Sequence, residues 1–451
     1  MLRNIAIAAL VCAGTVSAAS DHEYREFTSN DGRVIQAVLI DKSDDEAVLL
    51  MRNGQRATVP LERLSEDDQQ YVTSWSREKA IFLQKCRTLT IRQCLELRGY
   101  ESFEFRFKNN SIFIDGKING EPARVLIDTG AGISLLHAPY VEEIGLTVGP
   151  LTETVRGVAG EARAGWTDIP TLQLGEAVFN DQRILATDLL KGKPEGARSR
   201  EDLILGAEFM RQLDAVISYP ERRIFLRPDR SDQDEAGLGD GTGSTDFRIF
   251  RLRDGTVVRG KITSKTPTVA TFQLVNGRSQ PYPIDRFTDE DAAFIRNWTE
   301  AGALFLEHCQ GLTIEDLLTL RGYQSFQFER RGNHLFVDGT LNEQPATYMI
   351  DTGADSSLLN LRAATDANCA VGPMDQEVWG IGGSAPAAVT EIPILTMGDA
   401  VLTNRRVLAT DLNRNDPDLD LGYVGLFGAD FMRELDAVLT YTEDRIFLIQ
   451  R

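Results

Sequence analysis

The chain is written twice. Leu97-Arg98-Gly99-Tyr100 returns as Leu320-Arg321-Gly322-Tyr323, an offset of 223. Trp75 returns as Trp298, Asn53-Gly54 as Asn276-Gly277, and Ala186-Thr187-Asp188-Leu189 as Ala409-Thr410-Asp411-Leu412 at that offset. Near the ends, Leu213-Asp214-Ala215-Val216 matches Leu435-Asp436-Ala437-Val438 at 222, so one residue was lost in between. Solenoid repeats run to about 20–50 residues, so this period implies a tandem duplication of a larger, two-part unit. A residue needed once per copy is then present twice.

Composition narrows what that unit is. The chain has 451 residues. At about 150 residues per domain, that length suggests roughly three domains. Forty-eight basic against 67 acidic residues give a net charge of −19, which repels phosphate backbones and argues against a nucleic-acid partner. The chain is 42% apolar and 25% charged, a globular balance that excludes disorder throughout. The 38 glycines against 16 prolines leave room for many tight turns and lean toward β structure.

Residues 1–19 read as a secretory signal: Arg3, an apolar run from Ile5 to Val16, then Ser17-Ala18-Ala19 for cleavage. That run is shorter than the roughly 20 residues a bilayer requires, and no later stretch is longer. The expectation is a soluble protein, secreted or periplasmic, with no membrane span. Removal of Cys12 leaves Cys86, Cys94, Cys309 and Cys369. In an oxidising compartment these admit two disulfides in three connectivities, and equally four buried thiols. Cys86 and Cys94 are close enough in sequence for a local bridge. His22, His137, His308 and His334 do not cluster, and no cysteine spacing suggests zinc; no metal or cofactor is expected.

The first part of each copy covers about residues 24–64 and 246–287. Asp31-Gly32 and Asn53-Gly54 are hairpin signals, and Ala47 to Met51 is a short strand. Ser65 with Asp68, and Thr288 with Asp291, have the spacing of a helix N-terminal cap. Val72, Trp75, Lys79 and Phe82 then follow helical spacing, which predicts one helix packed on the small sheet by its tryptophan. These parts resemble the Sla-type homology domain, a small SH3-like β module. The resemblance implies structure or protein binding, with a protein ligand as partner, and no catalysis.

Two acidic stretches mimic ligand loops. Gly237-Leu238-Gly239-Asp240-Gly241 lacks the lysine and the preceding strand of a phosphate loop, and reads as part of a linker. Asp416, Asp418 and Asp420 suggest a calcium loop, but Leu421 and Phe427 stand where glycine and glutamate are required.

The second part of each copy carries the chemistry. An apolar strand from Ala123 to Ile127 runs into Asp128-Thr129-Gly130-Ala131; the other copy reads Tyr348-Met349-Ile350-Asp351-Thr352-Gly353-Ala354. Asp-Thr-Gly arises by composition roughly once in five thousand positions, and all three residues suit a simple turn. Two copies after apolar strands at the repeat offset are not explained by turns alone.

Over residues 109–228 and 332–451 the sequence resembles the retropepsin-like aspartic proteases. Besides the two Asp-Thr-Gly loops, it has Arg156-Gly157-Val158-Ala159-Gly160 and Trp379-Gly380-Ile381-Gly382-Gly383 where the family places its flaps. It also has Ile204-Leu205-Gly206 and Leu426-Phe427-Gly428, the segment that the family buries beside the catalytic loop. The resemblance implies that Asp128 and Asp351 share one proton and activate a water against a peptide carbonyl. It implies that Thr129 and Thr352 lock the loops together, while Gly130 and Gly353 permit close backbone approach. Arg156, Gly157, Gly160, Trp379, Gly380 and Gly383 would lie over an extended polypeptide substrate. Asp115 and Asp338 also match, but each belongs to a turn with glycine.

The expected molecule is mainly β: a signal peptide (1–19), an SH3-like module (24–75), a helical connector (76–108) and a retropepsin-like half (109–228). An acidic linker (229–245), a second module (246–298), a second connector (299–331) and a second half (332–451) follow. The two halves are expected to form a pseudo-dimer within one chain. The expected function is aspartic endopeptidase activity. The alternative is a catalytically silent peptide-binding or scaffold protein.

Overall fold

The computed structural model describes residues 24–108, 110–157, 160–175, 177–190, 201–227, 247–380, 383–398, 400–413 and 421–449. Residues 1–19, read as a signal, residues 229–245, read as a linker, Asp416, Asp418 and Asp420, and Val158, Ala159, Ile381 and Gly382 of the expected flaps lie outside them. The protein is mainly β and comprises two compact units. One takes in the small modules (1–90 and 242–312) and the other the retropepsin-like halves (91–241 and 313–451).

In the first unit each copy is a four-stranded antiparallel meander, Arg25–Thr28, Val34–Lys42, Glu46–Met51 and Arg56–Pro60 in the first. Gly32 and Gly54 turn the hairpins at φ of 81° and 79°, a conformation that side chains disfavour. Ala37, Leu39, Ala47 and Leu49 alternate onto one face and meet Phe27, Leu64 and Val72 in a small core. The helix that follows departs from the single run expected. Glu66–Ser74 stops at Trp75, whose backbone is extended, and a new helix Arg77–Ile81 starts on Ser76. Ser76 Oγ accepts the N–H of Lys79 at 3.1 Å. A capping serine thus outweighs the apolar spacing that runs through it. The Ser65 cap forms as expected, but Asp68 is buried and accepts the N–H of Thr28 at 2.7 Å, tying helix to strand. Asp291 does the same with Arg251.

In the second unit, half 1 is a closed sheet. Its order is Glu153–Gly157, Gly160–Leu174, Ala177–Thr187, Leu135–His137, Leu203–Leu205, Glu121–Ile127, Ser111–Ile118 and Arg106–Lys108. Gly160–Leu174 also pairs with Ser111–Ile118, closing the barrel. Half 2 repeats this order and adds the short strand Ala370–Val371. The central strands are buried on both faces. Val125 and Ile127 enter the main core, while Leu126 faces a second cluster with Phe113, Leu135, Val155 and Ile204.

A six-stranded sheet built from both halves joins them. Its middle pair is Val216–Ser218 against Val438–Thr440, with Ile217 opposite Leu439, its own counterpart. The pseudo-two-fold axis therefore passes between these residues. Glu101–Glu104 and Gln324–Gln327 form its edges, so the unit takes in residues upstream of 109 and 332. Helices Ile91–Glu96 and Ile314–Thr319 cover it through Leu95, Leu318, Phe225 and Phe447. Cys86, Cys94, Cys309 and Cys369 are all buried thiols. Among the described residues, no helix is long and apolar enough to cross a membrane.

Candidate active site

The same local device presents each aspartate. The strands Glu121–Ile127 and Gln344–Ile350 end at Asp128 and Asp351, whose N–H groups donate to Leu205 O at 3.0 Å and Phe427 O at 2.9 Å. Those acceptors lie on Leu203–Leu205 and Gly425–Phe427, which pair in parallel with the aspartate-bearing strands. Gly206 and Gly428 follow directly. A Cβ at Gly206 would stand 2.5 Å from the carbonyl carbon of Ile133, and one at Gly428 would stand 2.7 Å from Ala354 O. Only glycine lets these segments pass so close to the loops.

Within each loop, one carboxylate oxygen is fully engaged. Asp128 Oδ1 accepts the N–H groups of Gly130 and Ala131, both at 2.9 Å. Asp351 Oδ1 accepts those of Gly353 and Ala354, both at 3.0 Å. The threonines cross between the halves. Thr129 N donates to Thr352 Oγ1 at 3.1 Å, and Thr352 N to Thr129 Oγ1 at 3.0 Å. Each hydroxyl in turn donates across the axis, Thr129 to Ile350 O at 2.9 Å and Thr352 to Ile127 O at 3.0 Å. Both threonines are fully buried, so every polar atom of the lock is satisfied by the opposite half.

This lock brings the carboxyl groups face to face. Each glycine of the motif lies beneath the other half's carboxyl: a Cβ at Gly130 would overlap Asp351, and one at Gly353 would overlap Asp128. The two side chains are half-buried, and each lies close enough to the other to affect its ionisation. Burial pushes both carboxyls above the ordinary carboxylate range, most strongly Asp128, where the nearby Asp351 charge adds to the effect. The backbone N–H groups on Oδ1 oppose that shift without cancelling it. Such a pair titrates in two coupled steps, and over the interval between them it holds one proton.

The residues expected in the flaps lie on two hairpins. Glu153–Gly157 pairs with the start of Gly160–Leu174, placing Arg156 opposite Glu161; Gln376–Gly380 pairs with Gly383–Met397, placing Trp379 opposite Ser384. Gly157 faces Gly160 and Gly380 faces Gly383 at the described ends of the two hairpins. Arg156 is exposed and its Nε donates to Glu161 at 2.6 Å, so its charge is answered within the hairpin. Trp379 is 37% exposed. Val155 and Val378, one residue earlier in each hairpin, turn inward onto the apolar clusters of their halves. Asp115 pairs with Arg106, and Asp338 accepts the hydroxyl of Thr347 at 2.7 Å; neither approaches the dyad's hydrogen bonds.

Two neighbours of the dyad were not anticipated from sequence. The ladder that pairs Ile118 with Glu121 and Phe113 with Leu126 brings Ser111 opposite Asp128 when continued. The corresponding ladder, Leu341 with Gln344 through Leu335 with Ile350, brings His334 opposite Asp351. Ser111 Oγ reaches the other half's loop at Gly353 O, 3.3 Å away, and at Asp355. His334 lies against Gly132, and its position favours the ionised form of Asp351. The turns Asn119-Gly120 and Asn342-Glu343 set both registers, so counting back from the turn was the available signal.

Residues 114–209 and 337–431 each match the family model for aspartyl protease. Solved structures similar to the chain include a retropepsin-like aspartic protease from Rickettsia conorii. It shows 15% identity, covers 28% of this chain and 98% of its own, and has a TM-score of 0.23. EIAV protease complexed with the inhibitor HBY-793 shows 22% identity, covers 22% of this chain and 85% of its own, and has a TM-score of 0.18. No curated protein gives a match. With the family's unit matched once in each copy, the chain carries two retropepsin-like aspartyl protease regions in tandem.

Proposed function

We propose that the protein is an aspartic endopeptidase whose Asp128 and Asp351 act as one catalytic pair. The observation that carries this reading is the reciprocal packing of each carboxyl over the other half's glycine. In the singly protonated state the ionised carboxylate takes a proton from a water as its oxygen attacks the peptide carbonyl. The protonated partner donates to the carbonyl oxygen. Collapse of the tetrahedral intermediate returns a proton to the leaving amine and restores the pair. The flap hairpins would lend strand edges to an extended polypeptide. The silent-scaffold alternative gains no support, because neither carboxyl is lost. With a leader-like segment at 1–19, we extend the proposal to a secreted or periplasmic enzyme whose four-stranded meanders are Sla-type modules for structure or protein binding.

Hydrolysis of a peptide library by the full chain, compared with Asp128→Asn and Asp351→Asn, tests the reading. Each variant is expected to lose at least about 10²–10⁴-fold in kcat/KM while keeping its circular dichroism. A bell-shaped pH profile should accompany wild-type activity. Undiminished cleavage by either variant sinks the dyad.

A further inference from the structure

The two copies of the first unit meet through their broken helices. Each helix continues into a π-helical turn, Phe82–Cys86 in one copy and Phe305–Cys309 in the other, at the repeat offset. A residue near a two-fold axis touches its own counterpart, and these turns do so. Phe82 and Phe305 pack edge to face with ring centres 6.3 Å apart. One turn further on, Cys86 Sγ donates to Ala301 O at 3.4 Å and Cys309 Sγ donates to Glu78 O at 3.5 Å. Glu78 and Ala301 are themselves counterparts, so the two contacts cross the axis reciprocally. The thiols are completely buried, on turns that face each other across the axis. Cys94 and Cys369 have Leu317 and Leu146 as counterparts; among the four described cysteines, only Cys86 and Cys309 recur in both copies.

We propose that Cys86 and Cys309 are a modification site: a cysteine pair that a disulfide-class oxidant converts to an inter-repeat disulfide. The Cys86 thiolate attacks one sulfur of the oxidant's S–S bond and expels one thiolate. The Cys309 thiolate then attacks the Cys86 sulfur of the mixed disulfide and expels the second. The two protein thiols lose two protons and two electrons, and the oxidant's sulfurs take them up. Cys86 suits the attacking role, since the neighbouring Cys309 thiol favours its thiolate. The bond would fasten copy to copy across the whole first protease half, in the oxidising compartment that residues 1–19 lead one to expect.

The test uses the full chain, once folded and once refolding from denaturant, in a buffer of oxidised and reduced glutathione. The second arm exposes both thiols, so burial cannot mask the outcome. After denaturation in a maleimide reagent, Cys94 and Cys369 should be labelled and Cys86 and Cys309 protected. Peptide mapping should recover one fragment containing both protected residues, which reductant splits. In Cys309→Ala that fragment should vanish and Cys86 should take up label. Labelling of both residues in both arms, a bridge from either to Cys94, or a disulfide joining two chains would each overturn the assignment.

Discussion

Around the dyad the two halves are the same molecule at one distance and different molecules at the next. Asp128-Thr129-Gly130 and Asp351-Thr352-Gly353 agree residue for residue and nearly bond for bond. One contact further out, Ser111 stands against His334, Gly132 against Asp355, and the Arg156–Glu161 pair against Trp379 and Ser384. Half 2 also sets Tyr423 beside Phe336, with ring centres 5.9 Å apart, where half 1 has the buried Glu201. A homodimer has one sequence to serve both sides of its cleft. Duplication releases the surroundings from that constraint and leaves only the reciprocal lock under it, because every atom of the lock is satisfied by its twin.

The harshest way to break the symmetric part is to add a methyl group. Gly130→Ala and Gly353→Ala should each displace the opposite carboxyl and so cut kcat by at least about 10²-fold. The two losses should be equal within error in a peptidase assay; a strongly unequal pair would show that the identical loops do unequal work. Thr129→Val and Thr352→Val come next. Each leaves a buried N–H and a buried carbonyl without partners. About 1–3 kcal/mol should therefore be lost in chemical denaturation, again alike for both.

The asymmetric shell should respond unequally. His334 favours ionised Asp351, so in the proposed enzyme it should hold the acidic limb of the activity profile at lower pH. His334→Ser, which copies half 1 into half 2, should move that limb to higher pH, and Ser111→Ala should move it little. A limb that stays fixed in a kcat/KM–pH series would remove His334 from the dyad's electrostatics. The smallest effects belong to the flaps. Trp379→Ala should change preference on one side of the cut by about tenfold at most, and Arg156→Ala should change it less, because Glu161 already answers that charge. Profiles that shift equally on both sides would mean that the cleft does not read the two flaps separately.

What was legible in the sequence was whatever repetition or a short motif carries locally. The aspartates, their threonines and glycines, and the late Gly206 and Gly428 all sit in such runs. The six-stranded sheet was not legible: Val216–Ser218 and Val438–Thr440 look like short apolar strands, and nothing near them says that they pair with each other. Ser111 and His334 were within reach of an argument from turn register, but they carry no motif. The helix break at Trp75 was obscured because the apolar spacing continues through it while a single serine restarts the helix.

The pairing of Ile217 with Leu439 bears on what a fragment of this protein would do. Released from its twin, either half would carry a bare, mostly apolar strand with its hydrogen-bonding edge turned to water, the kind of surface from which aggregates grow. Yet that edge is shaped to fit a near-copy of itself. A lone half is therefore as much a building block as a fragment, and the long tether between the halves works as a rationing device: it supplies each sticky edge with one partner at high local concentration before strangers arrive.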